Sequence, residues 1–131
     1  MTYADKAPRC PAPHTLPVEQ ALIGSLLLDP ASIGAISRIV QPQDFVAEAH
    51  AIIFGTMLAL HARGAACDYL ALADELAWRQ QLEGVGGRSY LLEVAAAVPL
   101  GVGAMQYALM VAQQAAQRRA ESGGDAGDEP A

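Results

Sequence analysis

The stretch LEGVGGRSYLLEV, Leu82 to Val94, sets three glycines (Gly84, Gly86 and Gly87) ahead of an apolar run. Glycines placed before a helix can cradle a phosphate on bare backbone N–H groups. A P-loop also needs a lysine to reach the phosphates and a following Ser or Thr to hold magnesium. The single lysine here is Lys6, and Ala7 follows it. A dinucleotide fingerprint needs a strand before the glycines, whereas ELAWRQQLEG reads as a polar helix. The bend explains more: Gly84 ends one helix, Gly86 and Gly87 let the chain reverse, and the next helix starts at once.

The remaining reactive side chains do not assemble into a site. His50 and His61 are eleven residues apart on one helix face, so they stand ~16 Å apart along the axis and cannot share a metal. His14 falls in the Pro-rich lead. Asp74 and Glu75, and Glu83 and Glu93, have the spacing of a solvated helix face. Cys10 and Cys67 form no CxxC pair and read as free thiols. Trp78, Tyr69, Tyr90 and Tyr107 are isolated, and each is expected to cap the core. The sequence therefore offers no catalytic, cofactor-binding or metal-binding set.

The elements that would position these residues are helical. Residues 1–15, with Pro8, Pro11 and Pro13, read as a flexible lead. A first helix from Leu16 repeats Val18, Ala21, Leu22, Ser25 and Leu26 at helical spacing, with Glu19 in its first turn and Leu27 and Leu28 widening the apolar face. Asp29 and Pro30 supply an N-cap and a first helical position for a second helix, which carries Ile33, Ile36, Ile39 and Val40. A third runs from about Ala47 to Ala62 with Ala49, Ile52, Ile53, Met57 and Leu60 on one face, and Gly64 caps it. Asp68 caps a fourth, turning Leu72, Ala73 and Leu76 inward. A fifth starts near Arg88, packs Leu91, Val94, Ala95 and Val98, and breaks at Pro99. A sixth spans about Ala104 to Arg119, with Ala104, Ala108, Val111 and Ala115 inward. Residues 120–131, acidic and Gly-rich, read as a disordered tail. The expected fold is all-α, a compact orthogonal bundle of about six helices over residues 16–119 with disordered termini.

Composition narrows the partners. Apolar residues make up 53% of the 131 and aromatics 5%, so the core must be aliphatic. No apolar run approaches the ~20 residues needed to span a bilayer, and the amino terminus lacks a signal-peptide core; a cytoplasmic protein is expected. The net charge is −6. Nucleic-acid affinity comes largely from neutralising phosphates, so strong direct DNA binding is not expected and a protein surface is the better partner.

The series EQALIGSLLLD (Glu19 to Asp29), DF (Asp44, Phe45), AHAIIFGTMLALHARG (Ala49 to Gly64), DYLALADEL (Asp68 to Leu76), LEGVGGRSYLLEV and VP (Val98, Pro99), followed by Tyr107 and Val111, resembles the N-terminal domain of DnaB-type replicative DNA helicases. The resemblance covers roughly Leu16 to Arg119. It implies a helical head that precedes an ATPase motor, pairs with its copies, forms a collar above the motor ring and helps dock primase. The motor and the second arm of the pairing hairpin lie outside the match. Gly103 stands where the family has Asn, and ALMVAQQAAQ lacks most of the family's charged residues. The expected function is a non-catalytic interaction module of DNA replication, whose partners are helicase subunits, its own copies or primase. The alternative is a free-standing adaptor or inhibitor that competes for them. The expected contact is the outward face of the sixth helix: Met105, Leu109, Ala112 and Ala116.

Overall fold

A computed structural model describes residues 15–98 and 103–123. Among them are six α-helices and no strand: α1 (Thr15–Leu28), α2 (Ile33–Ile36), α3 (Glu48–Ala62), α4 (Tyr69–Trp78), α5 (Gly87–Ala96) and α6 (Ala104–Arg118). Short 3₁₀ turns at Pro30–Ser32 and Pro42–Asp44 flank α2, and a π-type turn, Arg119–Gly123, continues α6. The expected positions of Pro99, His14 and Cys10 lie outside the described residues.

The centre of the bundle is α1. Val18, Ala21, Leu22, Ile23, Leu26 and Leu27 are all buried, and they point round most of its circumference, as in a helix enclosed by others. It packs against α5, α6 and α3. Gly24 permits the approach to α5, because a Cβ there would overlap the carbonyl oxygen of Val94 and crowd Val98. Leu26 is fully buried, so Leu26→Asp would bury an unpaired charge and cost several kcal/mol.

Three details depart from the sequence expectation. Leu28 does not join the apolar face; it is exposed where α1 ends and no helix covers it. Because α1 begins at Thr15, Glu19 lies beyond the first turn and is buried. The second helix is one short turn, and Asp29 receives the Ser32 hydroxyl at 2.7 Å instead of capping a backbone N–H.

Caps behave more regularly elsewhere. Asp68 Oδ1 accepts the Ala71 N–H at 2.9 Å and starts α4. Gly64, at φ +72°, ends α3, with Ala65 N–H bonded to the Leu60 carbonyl and Gly64 N–H to that of His61; this is the Schellman pattern. The same pattern ends α4, yet its left-handed residue is Gln80, at φ +62°. Gly84 therefore does not terminate α4. It lies in the following turn, whose reversal depends on Gly86 (φ +113°) and Gly87 (φ +77°).

Candidate protein interface and the polar network behind it

The last helix is short of charge. Between Ala104 and Arg118 its single charged residue is Arg118. It opens with Gln106 Oε1 accepting the Gly103 N–H at 3.3 Å, and buries Tyr107, Ala108, Val111 and Ala115, chiefly against α1. Ala104 is partly buried. On the other side Met105 is 43% exposed and Leu109 53%, with Ala116 also exposed. Ala112 departs from the expected stripe: it is half-buried and packs on the core, since it follows Val111 on the edge of the inward face. Met110, missed in the sequence, is exposed beside Leu109.

A clasp fixes the far end of α6. Asp44 is buried; its carboxylate accepts the Gln41 N–H at 2.9 Å and an Arg119 guanidinium N–H at 3.0 Å. Its backbone carbonyl accepts Arg118 at 2.7 Å. Successive residues on an α-helix face directions ~100° apart, and the looser π turn that starts at Arg119 accompanies the convergence of both arginines on one residue. Gln43, Ala115, Arg118 and Arg119 line a crevice of about 450 Å³ beside the clasp.

The interior holds a polar network that sequence spacing did not reveal. Glu19, 1% exposed, points into the N-terminus of α3, where its carboxylate accepts the N–H groups of Val46 at 2.6 Å and Ala47 at 3.3 Å. It replaces a side-chain cap, which the N-cap residue Ala47 cannot provide. His50 Nδ1 lies 2.9 Å from the same carboxylate, and His50 Nε2 lies 2.6 Å from the Tyr90 hydroxyl. Gln20 Nε2 donates to that hydroxyl at 3.1 Å. One proton arrangement satisfies every group: Gln20 donates to Tyr90, Tyr90 donates to Nε2, and Nδ1–H donates to Glu19.

A carboxylate, an imidazole and a hydroxyl in line resemble the parts of a nucleophilic triad. Their electrostatics point the other way. Burial pushes the Tyr90 phenol above its ordinary range, with the hydrogen bond from Gln20 pulling against it, whereas an activated nucleophile has its pKa lowered. The network instead joins α1, α3 and α5. Tyr90 is half-buried as expected, but Trp78 is 81% exposed and caps nothing. His61 lies on the exposed end of α3, away from His50. Cys67 is buried as a free thiol, its pKa raised by that burial and then by Asp68. Among the described residues no three His, Cys, Asp or Glu side chains group as metal ligands. No described helix is long and apolar enough to cross a membrane.

The order of helices, the buried Glu19 and the VGG turn can now be set against known proteins. Residues 11–113 match the family model of the DnaB-like helicase N-terminal domain. The chain belongs to this family. The replicative DNA helicase DnaB of Geobacillus stearothermophilus is 41% identical over 107 residues, which is 82% of this chain and 24% of that protein. The replicative DNA helicase DnaC of Bacillus subtilis is 36% identical over 107 residues, with the same coverage of 82% and 24%. The chain thus spans about a quarter of the length of these relatives. Among solved structures, the N-terminal domain of DnaB helicase from Mycobacterium tuberculosis superposes with a TM-score of 0.79 at 34% identity, covering 84% of this chain and 80% of that one. A DnaB-like replicative helicase, described with its interactions with primase, gives 0.71 at 30% identity, covering 80% and 25%.

Proposed function

We propose that this chain is a non-catalytic protein-contact module of DNA replication, and that α6 presents the contact through Met105, Leu109 and Ala116, with Met110 beside them and Ala112 at the edge. The proposed partners are a second copy or a helicase subunit, and primase. The observation that carries this reading is the outward face of α6, uncharged from Met105 to Ala116 and exposing Met105, Leu109 and Met110 among Gln106 and Gln113, on a helix whose other face is anchored to α1. Such a face loses little on leaving water. The solved helicase described with primase supports the choice of primase.

The working unit in this reading is residues 16–119, with the Pro-rich lead and the acidic tail outside it, and its setting is the cytoplasm. The net charge of −6 opposes duplex binding by the chain alone, and ATP-driven unwinding is not among its own activities. In a pull-down at physiological salt, immobilised chain should retain purified replicative helicase or primase and leave duplex DNA in solution. Tight duplex binding, or ATP hydrolysis by the chain at the rate of a motor, would overturn the proposal.

A further inference from the structure

The outward face of α4 is distinct from α6 and carries its own apolar exposure. Leu72, Ala73 and Leu76 are buried, and the opposite side holds Leu70, 63% exposed, and Trp78, 81% exposed. These two stand about 12 Å apart along the axis. At the Trp78 end a crevice of about 280 Å³ opens between α4 and the following turn, lined by Ala77, Gln80, Leu82 and Glu83. Gln80 shapes its mouth in a left-handed conformation.

The charges around this crevice are unevenly committed. Arg63 and Arg79 both bind Glu75, and Arg88 binds Asp74. Among the described residues these pairings leave Glu83 as a carboxylate without a cation. An apolar trough with an unmatched carboxylate, and a bare indole that follows the trough residue Ala77 at the end of α4, suit one kind of side chain. An arginine can lay its aliphatic stem on Ala77 and Leu82, stack its guanidinium on the indole and meet the carboxylate. Lysine suits the site less, because its compact ammonium is more strongly hydrated and does not stack.

We propose that the outward face of α4 docks a protein segment that presents an arginine to the Glu83 crevice at the Trp78 end of the helix and an aliphatic side chain to Leu70. In an extended segment, where alternate side chains share a face, the ~12 Å between the two ends corresponds to a separation of four residues. The overall charge of −6 steers a basic segment towards the molecule.

Trp78 is the only tryptophan, so its fluorescence reports this site directly. The probe is the acetylated, amidated pentapeptide Leu-Ala-Ser-Ala-Arg, which sets both anchors on one face, with the peptide carrying glutamate in place of arginine as control. The full chain titrated with the arginine peptide should give a saturable shift in Trp78 emission that weakens as salt is raised. Glu83→Gln and Leu70→Ser should each weaken the binding several-fold while circular dichroism stays unchanged. A response that is linear and unsaturable, or equal for the glutamate peptide, or unaffected by both substitutions, overturns the proposal. Leu109→Glu on α6 should leave this titration unchanged, which separates the result from the proposed role of α6.

Discussion

Glu19 is the side chain on which most of the interior polar bonding converges. Its carboxylate satisfies two backbone N–H groups and the imidazole of His50, and its removal would strand all three, the imidazole buried and the two N–H groups partly so. Glu19→Ala is therefore expected to cost about 3 kcal/mol or more, as stranded buried donors do, read as a lowered midpoint in urea unfolding. Tyr90→Phe removes only the outer link and should cost about 1 kcal/mol. At the surface, Glu75 offers a different test. Hydrogen bonds from Arg63 and then Arg79 hold its pKa below the ordinary glutamate value of 4.5. The folded pKa is depressed, so the stabilisation is present above pH 4.5 and is lost as pH falls through the lowered folded value. An NMR titration of the Glu75 carboxyl should show that low midpoint, and Arg63→Ala should raise it towards 4.5. Both arginines are partly exposed, so added salt should narrow the difference.

The turn between the fourth and fifth helices connects backbone geometry to stability. Gln80 occupies the left-handed position that closes α4, at a cost of about 1 kcal/mol relative to glycine. Gln80→Gly should raise thermal stability by a few degrees. Gly87→Ala should do the reverse by about 1 kcal/mol, because φ is +77° although a Cβ would have open space around it. Neither substitution should create or remove affinity for nucleotide, and saturable ATP binding lost in Gly87→Ala would contradict the reading of the glycines as a bend. The helices themselves were legible from caps and periodicity: Asp68, Gly64 and the apolar spacings of α3 to α6 each act locally. Leu28 and Trp78 were not, because exposure depends on which neighbours reach a helix end. The placing of Glu19 in the first turn, and the missing of its pairing with His50, have a related reason. Thirty-one residues separate them, and helical spacing carries no record of a partner on another element.

At the scale of the whole molecule, a central apolar α1 anchors α6 through Tyr107, Ala108, Val111 and Ala115, and the Asp44 clasp holds its end. The sequence located the outward residues Met105, Leu109 and Ala116, since their spacing opposes the inward set. It placed Ala112 too far outward, because only packing shows where the edge of that face falls. The central claim is that this face meets another protein. The direct measurement is primase binding and sedimentation of Leu109→Glu beside the unsubstituted chain, at equal helical content by circular dichroism. Leu109 is already 53% exposed, so the fold should tolerate the charge, while desolvating it in a contact should cost about tenfold or more in affinity. The account predicts that self-association, primase binding or both weaken by that factor with the helices intact. Unaltered association in both assays would contradict it.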